Sequence, residues 1–532
     1  MGGTAAGAFA VAAAAAYVAI LLLLVPFGAH RMLLLWRRLG KPARPASSRW
    51  EGPLPVVTVQ LPVYNEANVV ARLIDAACSL DYPPERLEIQ LLDDSDDETS
   101  RIAAARVAHW RRLGRRIEHV RRGGRQGYKA GALAEGVRRA RGDFFLVLDA
   151  DFVPRADLLR RILPPLSDPR VGMVQAAWSY LNAESGWLTR AQELLLDAHF
   201  HIEHEARYRS GLFFNFNGTA GMWRRECIEG AGGWRAATLT EDLDLSYRAQ
   251  LAGWRFVFLA DVDVPSEIPM GMSAVEVQQA RWTQGGVQTA RMLLPRIWRS
   301  RLPLALKAEA TAHLAGHAVH PVTLLLGVAL CAVAFSGLGR EWLPGWLHAF
   351  GLAAATVPFV AFAATAGVLR GIPLRRLPRR ILEAMALGIG LGVPLTFAVL
   401  RGATLRDTPF FRTPKRGSRT VRRYRVPQRA AAPAALRAVL GGSLCGAAAV
   451  LVGRGAIGTA VLTALFAAGY VATTWELLRG ERVDPEENQE GDVDEEAYGQ
   501  RLGPAPRRRV RIQAPVREKH RPAEEQPGSA AA

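Results

Sequence analysis

The chain has 532 residues, of which 49% are hydrophobic, and its formal net charge is +18. Its four cysteines lie far apart with no CxxC spacing, which argues against a disulfide framework and a structural zinc site. No basic run alternates with aromatic residues, so the charge does not indicate a nucleic-acid partner. The arginines instead collect beside apolar stretches, which is typical of a membrane protein that follows the positive-inside rule.

The chain begins with an uncharged apolar run, Thr4 to Phe27, which is long enough to cross a hydrocarbon core of roughly 30 Å. A signal peptide is the alternative, but no basic region precedes the run and no convincing small-residue cleavage site follows it. The basic residues after it are Arg31, Arg37, Arg38, Lys41 and Arg44. We therefore expect a transmembrane helix within residues 1–30, with its N-terminus outside and the next domain in the cytoplasm.

Residues 48–300 alternate β-rich apolar runs with helical patterns. The predicted strands are VVTVQLPVY, LEIQLLDD, IEHV, FFLVLDAD and VGMVQAAW. Helices are predicted after the first four, near Val69–Leu80, Thr99–Leu113, Lys129–Arg139 and Ala156–Leu163. This alternation predicts an α/β domain with parallel strands and helical crossovers. In such open sheets ligands bind beyond the carboxyl ends of the strands, where this sequence places its acidic residues.

Pairs of carboxylates end two of these strands. A carboxylate at Asp93 or Asp94 can accept hydrogen bonds from a base or a ribose, although Asp94 to Asp97 can also simply cap the next helix. Asp149 and Asp151 are two residues apart on a predicted extended backbone, so both can face one hard cation. Because Mg²⁺ is held by one or two carboxylates with substrate phosphates and water, the pair predicts a metal-bound diphosphate. A turn with solvated aspartates is the alternative.

The stretch TLTEDLDL places Glu241 and Asp242 in the first turn of a helix that Thr240 is predicted to cap. Acidic residues there can serve only to stabilise the helix start. A displacement at a metal-bound diphosphate also needs a base, which favours Asp242 for that role.

Three histidines and two glutamates occur close together at residues 199–205. Their order, HIEHE, is not the zinc motif HExxH, so we predict a packed polar network there rather than a metal site.

Apolar segments also follow residue 300. They are His317–Leu338, Leu347–Leu369, Leu382–Leu400, Ala434–Val452 and Ala456–Trp475. Basic runs at 370–380 and 412–425 flank the third segment and both indicate the cytoplasm, so a single crossing cannot join them. Because this segment also contains Glu383, three glycines and Pro394, we predict an interfacial or re-entrant segment at 381–401, with an ordinary crossing as the alternative. The membrane domain would cover 301–476, and residues 479–532 read as a disordered charged tail.

The motifs LPVYNE, LDDSDD, DAD at 149–151, TED at 240–242 and QQARW at 278–282 occur in this order. As a set they resemble the family-two inverting glycosyltransferases of the cellulose-synthase-like superfamily. QGYKAGAL at 126–133 and the stretch at 200–223 look closest to the glucomannan-synthase-like branch and its bacterial relatives. FFRTPKRG at 410–417 is similar to the FxVTPK gating-loop motif, here within 408–420, but Arg412 replaces the usual hydrophobic residue.

The resemblance covers about residues 50–425 and implies a Rossmann-like (GT-A) domain inserted between transmembrane helices. It also implies a role for each matching residue. The donor-binding residues would be Asp94, Lys129, Asp149, Gln278 and Arg281. Those at the acceptor would be Glu241 and Trp282, those of the gating loop Thr413 and Lys415, and those at Mg²⁺ or Mn²⁺ Asp149 and Asp151. Asp242 would be the catalytic base of a direct displacement that inverts the anomeric centre.

The predicted protein is thus a multi-pass enzyme of the cell (inner) membrane with a cytoplasmic catalytic domain. It would transfer a hexose from a nucleotide-sugar, UDP-glucose or GDP-mannose, to a β-linked polysaccharide of the β-1,4-glucan or mannan type. A non-processive transferase that makes a membrane glycolipid is the nearest alternative. A transporter or receptor with a degenerate transferase domain predicts loss of the metal or base residues, and none is missing. No protein partner is indicated.

Overall fold

The computed structural model describes residues 2–42, 50–337, 344–404 and 431–482. Within these ranges seven strands form one mixed sheet, in the order β3-β2-β1-β4-β6-β5-β7. The strands are β1 (Val57–Val63), β2 (Leu87–Asp93), β3 (Ile117–Arg121), β4 (Phe144–Val147), β5 (Val171–Tyr180), β6 (Gly221–Arg224) and β7 (Arg255–Ser266).

The helices fall into a group around the sheet and a group of long apolar helices. They are α1 (Gly2–Gly40), α2 (Val70–Cys78), α3 (Thr99–Arg112), α4 (Tyr128–Arg139), α5 (Leu158–Ile162), α6 (Trp187–Ala198), α7 (Glu205–Ser210), α8 (Arg225–Gly230), α9 (Glu241–Leu251), α10 (Met272–Arg299), α11 (Leu304–Leu314), α12 (Val319–Phe335), α13 (Gly345–Leu369), α14 (Leu377–Gly390), α15 (Gly392–Ala403), α16 (Ala431–Gly453) and α17 (Ile457–Arg482).

The five predicted strands and the four predicted crossover helices are confirmed. β1, β2, β3 and β4 pair in parallel, and their buried aliphatic side chains supply the centre of the core. Each such side chain, once fully buried, stabilises the fold by about 2 kcal/mol. The register pairs Val63 with Asp93, so the chain leaves β1 and β2 at the same level of the sheet.

The sequence did not predict β6, which runs antiparallel to both β4 and β5 in an otherwise parallel sheet. β6 has only four residues, too few to show a strand periodicity in the sequence. It is inserted between β4 and β5, two consecutive strands that precede it in the chain, and the loop before it therefore lies next to the end of β4. That loop, Asn217–Ala220, becomes part of the site.

Among the described residues, five helices are long and apolar enough to cross a membrane. They are Gly7–Gly40, Gly316–Phe335, Gly345–Leu369, Ala432–Gly453 and Ile457–Gly480, close to the predicted segments. The first helix continues beyond the predicted apolar run and carries Arg37 and Arg38 in its last turn.

The predicted interfacial segment at 381–401 falls on α14 and α15, which are bent by 46° at their junction. α14 is attached to α6 by ion pairs that explain the polar residues in this apolar stretch. Arg190 donates to Glu383 at 2.7 Å, and Arg380 contacts Glu184 and Glu193. The bent pair is either a broken crossing or a re-entrant segment, so the interfacial or re-entrant segment stays a prediction.

The gating-loop-like segment at 408–420, with Thr413 and Lys415, lies outside the described residues, as does the tail beyond residue 482.

Candidate active site

A cavity lies beyond the carboxyl ends of β1, β2 and β4 and holds about 1240 Å³ of empty space, including solvent at its mouth. Every predicted site residue that the structure describes lines it. These are Asp94, Lys129, Asp149, Asp151, Glu241, Asp242, Gln278, Arg281 and Trp282. Residues that are 188 positions apart in the chain, from Asp94 to Trp282, thus face one space.

Asp94 follows β2 and is held by Arg122. The Nε of Arg122 donates to Asp94 Oδ1 at 2.9 Å, and its Nη2 contacts Oδ2. The same guanidinium donates to the carbonyl oxygens of Gln126 at 2.9 Å and Tyr128 at 3.1 Å, and so fixes the start of α4. A two-pronged arginine contact orients a carboxylate more strictly than a single hydrogen bond.

Asp93, by contrast, is structural. Its carboxylate is fully buried and accepts hydrogen bonds from the Ser95 amide and the Ser100 hydroxyl, with His119 at 2.8 Å. Burial alone would raise its pKa, but these hydrogen bonds, that of His119 foremost, lower it to about 2. Among the acidic residues that follow Asp94, Asp97 accepts a hydrogen bond from the Thr99 amide at the start of α3, as the capping alternative predicts.

Lys129 connects two parts of the site from the first turn of α4. Its Nζ donates to Asp149 Oδ1 at 2.5 Å and to the Gly218 carbonyl at 2.8 Å. Burial lowers the pKa of Lys129, but the carboxylates of Asp149, Glu241 and Asp242 outweigh burial and raise it. Lys129 therefore stays positively charged at neutral pH.

Asp149 and Asp151 do not lie on a strand, because β4 ends at Val147 and the chain then turns. The argument from strand alternation is therefore wrong, although both residues still reach the cavity. The turn is held by the Asp149 amide, which donates to Thr219 Oγ1 at 2.9 Å, and by the Phe152 amide, which donates to the Asp149 carbonyl at 3.1 Å. A local turn rather than the pleat places the two carboxylates.

A divalent cation fits this pair on its donor chemistry, since carboxylate oxygens with phosphate and water are what Mg²⁺ and Mn²⁺ prefer. No group of three or more His, Cys, Asp or Glu side chains is arranged to hold a metal within the described ranges.

Asp242 is the second residue of α9 and accepts a hydrogen bond from the Leu243 amide at 2.8 Å. Burial, together with the nearby charge of Glu241, raises its pKa to about 7, against the opposing effect of Lys129. A carboxyl group with this pKa can accept a proton near neutral pH. The predicted cap is wrong: the Thr240 side chain does not cap α9 but lies 3.2 Å from the Thr289 hydroxyl on α10.

Gln278, Arg281 and Trp282 reach the cavity from α10. Burial lowers the pKa of Arg281, and the carboxylates of Glu241 and Asp149 oppose that shift. Three cationic side chains, those of Arg125, Lys129 and Arg281, thus line the cavity together with its carboxylates, as a site for an anionic leaving group requires.

Residues 55–285 match the family model described as "Glycosyltransferase like family 2". Glucomannan 4-beta-mannosyltransferase 2 of Arabidopsis thaliana is 43% identical over 252 residues, which are 46% of this chain and 47% of that protein. Glucomannan 4-beta-mannosyltransferase 1 of rice (Oryza sativa subsp. japonica) is 43% identical over 255 residues, 46% of this chain and 48% of that protein. Residues 55–285 are a glycosyltransferase family 2 domain. The resemblance to the glucomannan-synthase-like branch is confirmed, and the match spans about half the length of these relatives.

The chain also resembles a solved structure over a longer stretch. It is a mannosyltransferase, PcManGT from Pyrobaculum calidifontis, in complex with GDP-Man and Mn²⁺. The TM-score is 0.51 at 22% sequence identity, and the alignment covers 74% of this chain and 99% of that one. At this identity the likeness concerns the fold, and it agrees with the predicted GT-A architecture.

Sequence reasoning missed two arginines of the glycosyltransferase domain. Arg122 holds Asp94, and Arg125 stacks on Tyr64 with its guanidinium carbon 3.3 Å from the ring centroid. Both Arg125 and Tyr64 line the cavity. The available signal was a basic loop that follows β3 at the ligand-binding edge of the sheet.

The histidines at 199–204 form a turn of π-helix that runs on from α6. His204 Nε2 lies 3.0 Å from the Asn215 carbonyl oxygen, and His199 Nε2 lies 2.9 Å from Asn217 Nδ2. The predicted packed polar network is confirmed, and it supports the loop that leads into Gly218.

Proposed function

We propose that this protein transfers a hexose from a nucleotide-sugar to a growing β-linked polysaccharide, by metal-dependent displacement with inversion, in a membrane. The observation that carries the proposal is the single cavity in which Asp242 faces Lys129, Arg281 and the Asp149–Asp151 pair. The sequence relatives named as glucomannan 4-beta-mannosyltransferases support a mannan-type product and GDP-mannose as donor, with UDP-glucose as the second candidate.

In this mechanism Asp242 takes the proton of the acceptor hydroxyl while that oxygen attacks the anomeric carbon. Asp149 and Asp151 would hold Mg²⁺ or Mn²⁺, which neutralises charge on the departing diphosphate when bound. Lys129 and Arg281 stabilise the same charge from the protein side. Asp94, oriented by Arg122, contacts the nucleotide base.

The acceptor side is formed by Glu241 and Trp282. The indole ring of Trp282 offers a flat apolar face on which a sugar ring can stack. Closure over the donor by Thr413 and Lys415 stays a prediction.

The catalytic domain is proposed to face the cytoplasm of a cell whose inner membrane holds the five apolar helices. The arginines in the last turn of α1 and the basic loop before α14 support this orientation, because positive residues concentrate on the cytoplasmic side.

The test uses membrane vesicles that contain the full-length protein, incubated with radiolabelled GDP-mannose or UDP-glucose. Mg²⁺, Mn²⁺ or a chelator is added in parallel. We expect label in an insoluble β-1,4-linked product, dependence on the metal, and loss of transfer in Asp242→Asn with retained binding of the nucleotide. Label that is lipid-extractable and carries one sugar would establish the glycolipid alternative instead. Full turnover by Asp242→Asn would exclude Asp242 as the base.

A further inference from the structure

A buried ion pair joins α10 to α16 outside the catalytic cavity. Arg437 is 1% exposed, and its Nη1 donates to Glu276 Oε1 at 2.5 Å while its Nε donates to Thr474 Oγ1 on α17 at 3.2 Å. Neither Glu276 nor Arg437 is among the described residues that line the cavity. The arginine lies in a helix apolar enough to cross a membrane, where a charged side chain is costly and therefore indicates a role.

The pair is surrounded by apolar side chains from several helices. Met272 and Val275 of the first turn of α10 belong to one cluster with Leu387, Leu391 and Leu477, and Ala434 of α16 packs against it. Apolar contacts have little directional preference and tolerate rotation of a helix. A charge-assisted hydrogen bond between fixed groups does not. The pair is thus a directional contact between α10 and α16 near the start of α10, in addition to the hydrogen bonds that Gln284 and Arg291 make with α15 further along the helix.

The position of Glu276 makes this rotation matter for the site. It precedes Gln278 by two residues and Arg281 by five in one uninterrupted helix. Because a helix turns by about 100° per residue, Glu276 faces the membrane helices while Gln278 faces the cavity. Any rotation of this end of α10 displaces the cavity residues by the same angle.

We propose that the Glu276–Arg437 pair is a positioning element that sets the place of Arg281 and Trp282 in the cavity. This rests on the proposed function, since the two placed residues act on the leaving group and the acceptor. Displacements of about 1 Å in such groups cost up to about a hundredfold in rate.

The decisive variant is Glu276→Met with Arg437→Met, which removes both charges and keeps the volume. Replacing a buried ion pair by packed apolar groups is often neutral or stabilising. We therefore expect a Tm no lower than that of the unmodified protein, together with a kcat reduced at least about tenfold. The KM for the donor is expected to rise by a smaller factor than kcat falls, because Asp94 and Lys129 are held by other elements and still bind the donor while Gln278 and Arg281 move with α10.

Single variants and a matched pair complete the design. Glu276→Gln leaves Arg437 buried without its carboxylate and should lower both Tm and kcat. Glu383→Gln breaks the Arg190–Glu383 pair between α6 and α14, which is also largely buried, and should lower Tm alone. All kcat values are calculated per molecule of folded enzyme, and the amount of folded enzyme is measured by size-exclusion chromatography.

A double methionine variant with normal kcat and KM would overturn the proposal and leave the pair a purely structural contact. Failure of the proposed function has a different signature. In that case the unmodified protein transfers no hexose from either donor, whatever residues 276 and 437 are.

Discussion

Gly218 is the residue around which the site is most tightly packed. Its φ is +81°, a value that favours glycine, and its carbonyl accepts a hydrogen bond from Lys129. A Cβ added there would lie 3.0 Å from Asp242 Oδ2 and 3.5 Å from Lys129 Nζ. The backbone thus approaches the predicted base and the predicted donor lysine at a distance that only glycine allows.

We expect Gly218→Ala to reduce kcat at least about tenfold, because the methyl group displaces Asp242 from the position in which it can take the acceptor's proton. The control is Gly114→Ala, since Gly114 has nearly the same φ, +82°, but no atom within 4 Å of the added Cβ. The Gly114→Ala variant has the same backbone strain, about 1 kcal/mol, but its added methyl group does not contact the site. Steady-state transfer assays and thermal unfolding of both variants measure the two effects. Equal kcat values in the two variants would contradict the steric argument.

The raised pKa of Asp242 predicts the pH dependence of transfer. The carboxyl must be ionised to accept a proton, so kcat/KM should fall about tenfold per pH unit below about 7 and level off above it. Lys129 stays charged throughout this range. The measurement is kcat/KM from pH 5.5 to 8.5, at intervals of about half a pH unit. This parameter reports the ionisation of groups in the free enzyme.

Asp197 serves as the control, because burial raises its pKa to about 7 as well, yet it lies on α6 beside Arg370. Asp197→Asn should therefore retain the same acidic limb in kcat/KM. Loss of the acidic limb of kcat/KM in this variant would show that Asp197, and not Asp242, is the titrating group.

At the scale of elements, α14 links the sheet domain to the apolar helices. Its Glu383 accepts from Arg190 Nε at 3.0 Å and from Nη2 at 2.7 Å, a two-pronged contact with α6. Both side chains are largely buried, at 16% and 11% exposed. This contact explains why the acidic Glu383 occurs in an apolar segment. From the sequence alone, Glu383 was only evidence against a spanning helix.

Removing one partner should destabilise the protein, because the other charge stays buried. We expect Glu383→Gln to cost about 3 kcal/mol and to lower Tm by several degrees, measured by unfolding in detergent. Arg139→Gln breaks an ion pair with Glu135 in which the arginine is 47% exposed, and should change stability by less than about 1 kcal/mol. Similar losses in the two variants would show that the α6–α14 contact is not a buried one in solution.

At the scale of the whole molecule, the number of crossings determines which segments share a side of the membrane. If α14 and α15 do not cross, the start of α16 and the end of α17 lie on the same side of the membrane as the sheet domain, which is the cytoplasmic side in the proposed orientation. If they do cross, the start of α16 lies on the opposite side. The predicted role of Thr413 and Lys415 at the donor requires the first arrangement.

Cysteine labelling in a cysteine-free background distinguishes the two topologies. With five crossings, Ile457→Cys at the start of α17 should react with a membrane-impermeant maleimide in intact cells. Arg375→Cys, before α14, should react only after lysis. Ser336→Cys, at the end of α12, is outside in both topologies and serves as the positive control. Protection of Ile457→Cys in intact cells would establish a sixth crossing and exclude the interfacial segment.

Much of the site was predictable from local sequence. Buried strands that end in carboxylates, and apolar runs followed by arginines, depend on groups that are neighbours in the chain. Burial of a strand and the cost of burying charge therefore indicated Asp149, Asp151 and one of the pair Asp93 and Asp94 as site residues, and hydropathy located the apolar helices. The family resemblance then selected Asp94 from that pair.

The tertiary structure decided what depends on groups distant in the chain. Insertion of β6 beside β4 brings Gly218 and Thr219 to the Asp149 turn, and 161 positions separate Glu276 from Arg437. No local pattern records such pairings, since they follow from how strands are ordered and helices packed. The sequence by itself determined which groups could do the chemistry. Packing decided which arginine holds Asp94, how Asp242 acquires its raised pKa, and where α10 places Arg281.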